Sequence, residues 1–188
     1  MLGRLLIHPR RALEGAAARP SLRGGAIAVA ATGLACMLLE LLAVRVGGGN
    51  SAAVGLSIAV PVMFAAFWLV SGLLVGAGAR LLGLLPQRRR LLAVTGLTFP
   101  VLVLYAVVGL IQAASPHLGG DALATVAGLL ALPVVGWFVA VNAVAVRAVY
   151  DTSPLSAVAI TLLPYAALSA VVLLLVVVVS VLHGLGAV

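Results

Sequence analysis

Four acids, three histidines and one cysteine are the side chains with which this 188-residue chain could do acid–base, nucleophilic or metal chemistry. Their spacing assembles none of it. Ser71-Gly72 has the look of an intramembrane serine nucleophile, and such a serine needs a histidine within hydrogen-bond reach to take its proton. In the expected topology Ser71 lies in the inner half of the second span, His117 and His183 at the outer face and His8 in the cytoplasm, and Leu69 stands where that motif wants a small residue. Asp121 and Asp151 are a full apolar stretch apart, which separates them across a membrane and rules out an aspartyl dyad. No HExxH, CxxC or phosphate loop occurs. No catalytic residue, cofactor site or metal site is therefore expected. A lone Cys36 also excludes a disulfide framework within the chain. Two polar residues inside apolar stretches remain. Glu40 is a candidate because an intramembrane carboxylate is costly and functional by default; pairing with Arg45 is the structural alternative. Asn142 reads as a hydrogen bond between helices, which stabilises membrane bundles modestly.

The elements that must carry these residues are five apolar stretches, 25–46, 55–82, 91–114, 122–146 and 154–182. Each meets the ~20 residues that a helix needs to cross ~30 Å of hydrocarbon. Lipid offers no partner to open backbone groups, and the ~10-residue alternation of a barrel is absent, so helices are the expected form. Hydrophobic residues make up 64% of the chain and charged residues 8%, well outside the balance of a soluble domain. The expected fold class is all-α: a polytopic membrane protein, a bundle of five transmembrane helices over 25–188, preceded by a basic interfacial segment, 1–24. The first stretch is too long, and begins too far into the chain, for a cleaved signal peptide.

Charge placement sets the orientation. All eleven cations are arginine, which reads as the codon bias of a GC-rich bacterial genome. Arg4, Arg10, Arg11, Arg19 and Arg23 precede the first stretch; Arg80, Arg88, Arg89 and Arg90 lie between the second and third; Arg147 ends the fourth. Only Arg45 falls on the other side. The positive-inside rule therefore places the N-terminus in the cytoplasm and the C-terminus outside, in a bacterial inner membrane. The net charge of +7 is a topology signal and not a nucleic-acid footprint. Arg10, Arg11, Arg88, Arg89 and Arg90 are the candidate contacts with anionic lipid headgroups, worth about 1 kcal/mol each near the surface, or with a protein partner. Pro9 suits the first turn of a short helix running to about Ala18, with Leu13 and the alanines toward lipid and Arg10, Arg11 and Arg19 toward phosphates.

Within the stretches, Pro100, Pro133 and Pro164 fall roughly 13–17 Å from each helix start. Each frees a carbonyl, on Gly96, Leu129 and Ile160, with Thr98 and Thr161 near enough in sequence to help. Such prolines are either packing kinks or the broken helices of a transporter site. Gly72, Gly76 and Gly78, then Gly96, then Ala124 and Gly128, form small-residue seams suited to packing within the bundle. Residues 47–50 and 114–121 read as loops, and Ser153 is placed to cap a helix opened by Pro154.

His8-Pro9 with Ala12-Leu13, Ala79-Arg80, the Gly83 turn, RLLAVTGLTFP over 90–100, Trp137 through Tyr150, then Ser153, Ala157 and Leu163-Pro164 resemble the Yip-domain family. These are five-span proteins named for Rab-GTPase interaction in eukaryotes and widespread in bacteria. The resemblance implies five helices and a membrane scaffold or adaptor. The first external loop lacks the Asp…Gly-Pro motif of eukaryotic members, and the third helix lacks their Tyr-Gly-Tyr-like element, so GTPase binding does not carry over. The expected function is a non-catalytic, membrane-organising or adaptor role. The alternative is a small transporter or channel component with a midplane cavity near Pro100, Pro133 and Pro164.

Overall fold

The structure is a computed structural model, and it describes residues 7–184. Among these residues seven α-helices follow one another: α1 (Pro9–Ala18), α2 (Leu22–Val46), α3 (Ser51–Leu81), α4 (Arg88–Gly96), α5 (Leu102–Leu118), α6 (Gly120–Tyr150) and α7 (Pro154–Gly184). A 3-10 turn, Phe99–Val101, joins α4 to α5, and the two together form the third of five spans long and apolar enough to cross a membrane. Every predicted stretch is a helix.

Side-chain caps decide where several helices begin. Ser21 opens α2 by accepting from the Gly24 amide at 3.0 Å, and Asn50 opens α3 by accepting from the Ala53 amide at 3.0 Å. The Asn50 cap is why the second helix starts at Ser51, ahead of the apolar run. Ser153 caps α7 as expected, accepting from the Ser156 amide at 3.1 Å, with Pro154 in the first position. The third span runs past Ala114 to Leu118 in α5, through Pro116, into what hydropathy reads as a loop. Pro116 cannot donate to the Gln112 carbonyl, and the Ser115 hydroxyl does so instead at 2.7 Å. Asp151, in the left-handed region at φ 49°, ends α6.

The 3-10 turn at Pro100 converts the third span into two half-helices with different surroundings. Half-helix α4 sits in the core, packed on α1, α2, α3 and α6, with Leu91 and Val94 fully buried. Half-helix α5 packs chiefly on α2 and α6. Phe99, in the turn, is the centre of an aromatic knot. Its ring stands edge-on to Phe64 at 5.9 Å and to Phe138 at 5.7 Å, and Phe67 bridges from it to Tyr165.

Two backbone-to-backbone approaches hold α2 in place. Gly25 meets Ala93 and Gly96 of α4, and Gly33 meets Pro61 of α3. Gly72 and Gly78 of α3 also face inward, Gly72 against Leu92 and Gly78 against Leu163 and Ile160, so this seam packs the bundle internally.

Helix α1 departs from expectation. Leu13 and Ala17 do not face lipid: both are buried where α1 packs on α6 and α4. Their four-residue spacing makes an apolar stripe that suits either surface, and the bundle takes it. Arg90 fixes the arrangement, its Nε donating to the Ala17 carbonyl at 2.9 Å and its Nη1 to Gln87 Oε1 at 2.9 Å.

Candidate functional site

Three places hold the polar chemistry of this chain. The first is a buried cluster at the inner end of the aromatic knot. The Thr98 hydroxyl lies 2.7 Å from the Thr95 carbonyl and 3.1 Å from Asn142 Oδ1, while Asn142 Nδ2 donates to the Phe138 carbonyl at 2.9 Å. Asn142 therefore joins α6 to the turn of the third span, the interhelical role its sequence position suggests. Trp68 adds a second cross-link, donating to the Leu92 carbonyl at 3.1 Å. Ser71 donates to the Phe67 carbonyl of its own helix, so its hydroxyl is engaged in a way that suits packing. Ser71, Thr95, Asn142, Thr161 and Pro164 surround a void of about 20 Å³, and the buried Thr161 hydroxyl has no partner among the described residues. That volume suits one water and no larger solute. Pro133 is exposed on α6 and Pro100 half-buried in the turn, so the three prolines do not converge on this void.

The second place is larger and almost wholly apolar. A chamber of about 550 Å³ opens among all five spans, lined by Cys36 and Glu40 of α2, Val60, Met63, Phe64 and Phe67 of α3, Leu102, Tyr105 and Ala106 of α5, Val135 and Phe138 of α6, and Tyr165 of α7. The aromatic knot separates it from the buried polar cluster: Phe67, Phe138 and Tyr165 line both. Glu40 also lines a second cavity of about 440 Å³, bounded by Gly47, Gly49, Gln112 and Pro116 near the helix ends. Its carboxylate lies over Gly109 of α5, where an added Cβ would stand 3.8 Å from Oε1. Among the described residues Glu40 has no hydrogen-bond or ion-pair partner, and Arg45 is exposed and unpaired. The suggested Glu40–Arg45 pair is not formed. One turn of α2 carries Cys36 and Glu40 on the same face, and that spacing was the only trace of the chamber in the sequence.

The third place is the end of the bundle where the arginines collect. Arg10, Arg11, Arg19, Arg23, Arg80, Arg88, Arg89 and Arg147 are all exposed, contributed by five different helices and the Arg19 cap. Arg10 donates to Glu14 at 2.7 Å, the single ion pair among the described residues. Glu14 holds the Arg10 guanidinium further into its charged form, through that hydrogen bond and then through its charge. Arg147 and Asp151 share a cavity of about 160 Å³ with Arg10 and Glu14, and the two make no ion pair with each other. Within the Arg88, Arg89 and Arg90 run the roles divide. Arg88 and Arg89 point outward, whereas Arg90 spends its donors on Ala17 and Gln87. Nothing in a triple-arginine run distinguishes the third member; only the docking of α1 does.

At the opposite end His117 Nε2 lies 3.2 Å from the Val46 carbonyl and ties α5 to α2. The side chain of His183 lies outside the described residues, as does Arg4. Asp121 and Asp151 flank the two ends of α6, which at ~1.5 Å per residue sets them on opposite faces of a bilayer.

The Yip1 domain profile matches residues 3–182, nearly the whole chain and all five spans. No curated protein and no solved structure matches. Five apolar helices in one bundle and a match of that extent lead to one conclusion: the chain is a multi-pass integral membrane protein and belongs to the Yip1 domain family.

Proposed function

We propose that this is a non-catalytic, membrane-organising or adaptor protein of a bacterial cytoplasmic membrane, working through its arginine-rich end on the cytoplasmic side. The observation that carries the reading is the display of unpaired guanidinium groups, Arg88 and Arg89 foremost, on a rigid platform of α1, α3, α4 and α6. Guanidinium groups match phosphate geometry and keep their charge at any physiological pH. The non-catalytic part draws support from the separation of the acids and from Ser71 being held to its own helix. The transport alternative draws support from the chamber. It draws none from the buried polar cluster, which encloses only about 20 Å³ behind the aromatic knot.

The experiment is retention of phosphatidylglycerol over phosphatidylcholine by the purified protein, read by native mass spectrometry from mixed bicelles. At about 1 kcal/mol per arginine, the Arg88→Ala/Arg89→Ala double variant should lose up to about 30-fold in anionic preference. Arg45→Ala, at the other end, should change it little. Equal preference in all three proteins would overturn the role given to this end.

A further inference from the structure

We propose that the Glu40 chamber is a binding site for a bilayer phospholipid whose head group ends in an ammonium. One acyl chain fills the apolar chamber and the ammonium meets the Glu40 carboxylate. This goes beyond the reading at the arginine-rich end and does not depend on it. A carboxylate inside a span is expensive unless it is paired, and none of the described residues supplies a partner. The missing partner is a cation. A metal ion would need several oxygen ligands, and the chamber offers one carboxylate among Val60, Phe64, Leu102 and Val135. A soluble amine would leave those apolar walls uncovered. An amphiphile satisfies both halves, and a volume of about 550 Å³ lies within the range of ligand pockets, which combine apolar walls with few polar groups.

The position of the carboxylate is the second argument. Glu40 lines both the chamber and the second cavity of about 440 Å³ near the helix ends, the mouth in which a head group would lie above its chain. The mouth is bounded by Gly49, beside the N-terminal end of α3, and by Gln112. The positive end of a helix dipole and an amide donor both favour a phosphate there. A phospholipid carries its phosphate between chain and ammonium, so with the phosphate in the mouth the ammonium, two carbons beyond it, turns back onto Glu40, which lines both cavities.

The test uses the full chain in phosphatidylglycerol nanodiscs, with trace phosphatidylethanolamine or phosphatidylglycerol bearing a diazirine in one acyl chain. After photolysis, peptides holding Val60 to Phe67 or Leu102 to Ala106 are quantified. The phosphatidylethanolamine tracer should label them about tenfold more, the worth of roughly 1.4 kcal/mol from a charge-assisted hydrogen bond. Glu40→Gln should reduce that labelling to the phosphatidylglycerol level, and Glu40→Asp should keep part of the preference. Val60→Trp, which narrows the chamber and leaves the carboxylate alone, should suppress chamber labelling by both tracers. Equal labelling by the two tracers in the unaltered protein would overturn the proposal. So would a preference that survives Glu40→Gln, or chamber labelling undiminished by Val60→Trp. Arg88→Ala/Arg89→Ala should leave the preference intact, which keeps a failure here distinct from a failure at the arginine-rich end.

Discussion

Gly96→Ala is expected to cost about 3 kcal/mol of folded-state stability, the upper part of the range for overpacking, because the clash is with backbone. A Cβ at position 96 would lie 2.6 Å from the Gly25 carbonyl oxygen and 2.7 Å from the Gly25 Cα. Neither atom is the end of a flexible side chain, so α2 and α4 must separate. At position 25 the same test meets the Ala93 carbonyl at 2.7 Å, so the contact is closed from both sides. What would be lost is large, since α4 is buried at Leu91, Ala93, Val94, Thr95 and Gly96 and the Asn142 link lies one turn away. In a membrane there is no hydrophobic drive to reassociate the helices; close packing itself holds them. Unfolding in detergent, followed by circular dichroism or denaturant titration, reads the loss directly. Gly136→Ala is the matched control, because nothing lies within 4 Å of a Cβ there. Its effect should stay within about 0.5 kcal/mol or be mildly stabilising. Equal stability of the two variants would refute the close approach.

Arg90→Ala should release α1 from the bundle while leaving the five spans folded. Hydrogen bonds from charged donors are worth about 1.5–3 kcal/mol; one from Arg90 crosses to the Ala17 carbonyl of α1, and a second, to Gln87 at the start of its own helix, holds the guanidinium in place. A loss of about 2 kcal/mol raises the undocked population of α1 roughly 30-fold. Leu13 and Ala17 would then be exposed to lipid headgroups. Arg90→Lys should not restore docking, since one ammonium cannot reproduce the divergent Nε and Nη1 donors. A spin label at the exposed Ala18 would report the release as gained mobility. Arg89→Ala, which removes the same charge from a free side chain, should leave the label immobile. Mobility that rises equally in both variants would mean that charge, and not the clamp, holds α1 down. The division also bears on function: a triple replacement of Arg88, Arg89 and Arg90 would confuse loss of headgroup contact with loss of α1.

Much of the fold was legible because length and hydropathy answer a single question, which segments can cross a bilayer. The helix starts that differ do so where a side chain overrides hydropathy, as Asn50 does for α3. The Ser115 hydroxyl likewise carries α5 past Pro116. Facing was far less legible. In a soluble protein apolar residues mark the interior, but here Leu38, Val62 and Leu132 face outward while chemically identical residues such as Leu91 and Val94 are fully buried. Small residues carried the facing signal instead, and Gly72, Gly78 and Gly96 were legible as packing seams for that reason. Pro100 was legible as a kink. That its turn would set α4 in the core and open a chamber beside α5 was not, because it depends on which helices surround each half. Asn142 was legible as an interhelical link. Glu40 was legible as unusual, but its setting is assembled from all five spans, and no local pattern encodes such a place.

One labelling experiment tests whether the arginine-rich end lies in the cytoplasm, against anionic headgroups. Cys36→Ala removes the only native thiol, and Leu85→Cys and Leu118→Cys then place single thiols at opposite ends of the bundle, where both leucines are exposed. A membrane-impermeant maleimide applied to intact cells should label the Leu118→Cys protein at once. The Leu85→Cys protein should react only after the cells are lysed. The reverse pattern would place Arg88 and Arg89 outside the cell and contradict the account.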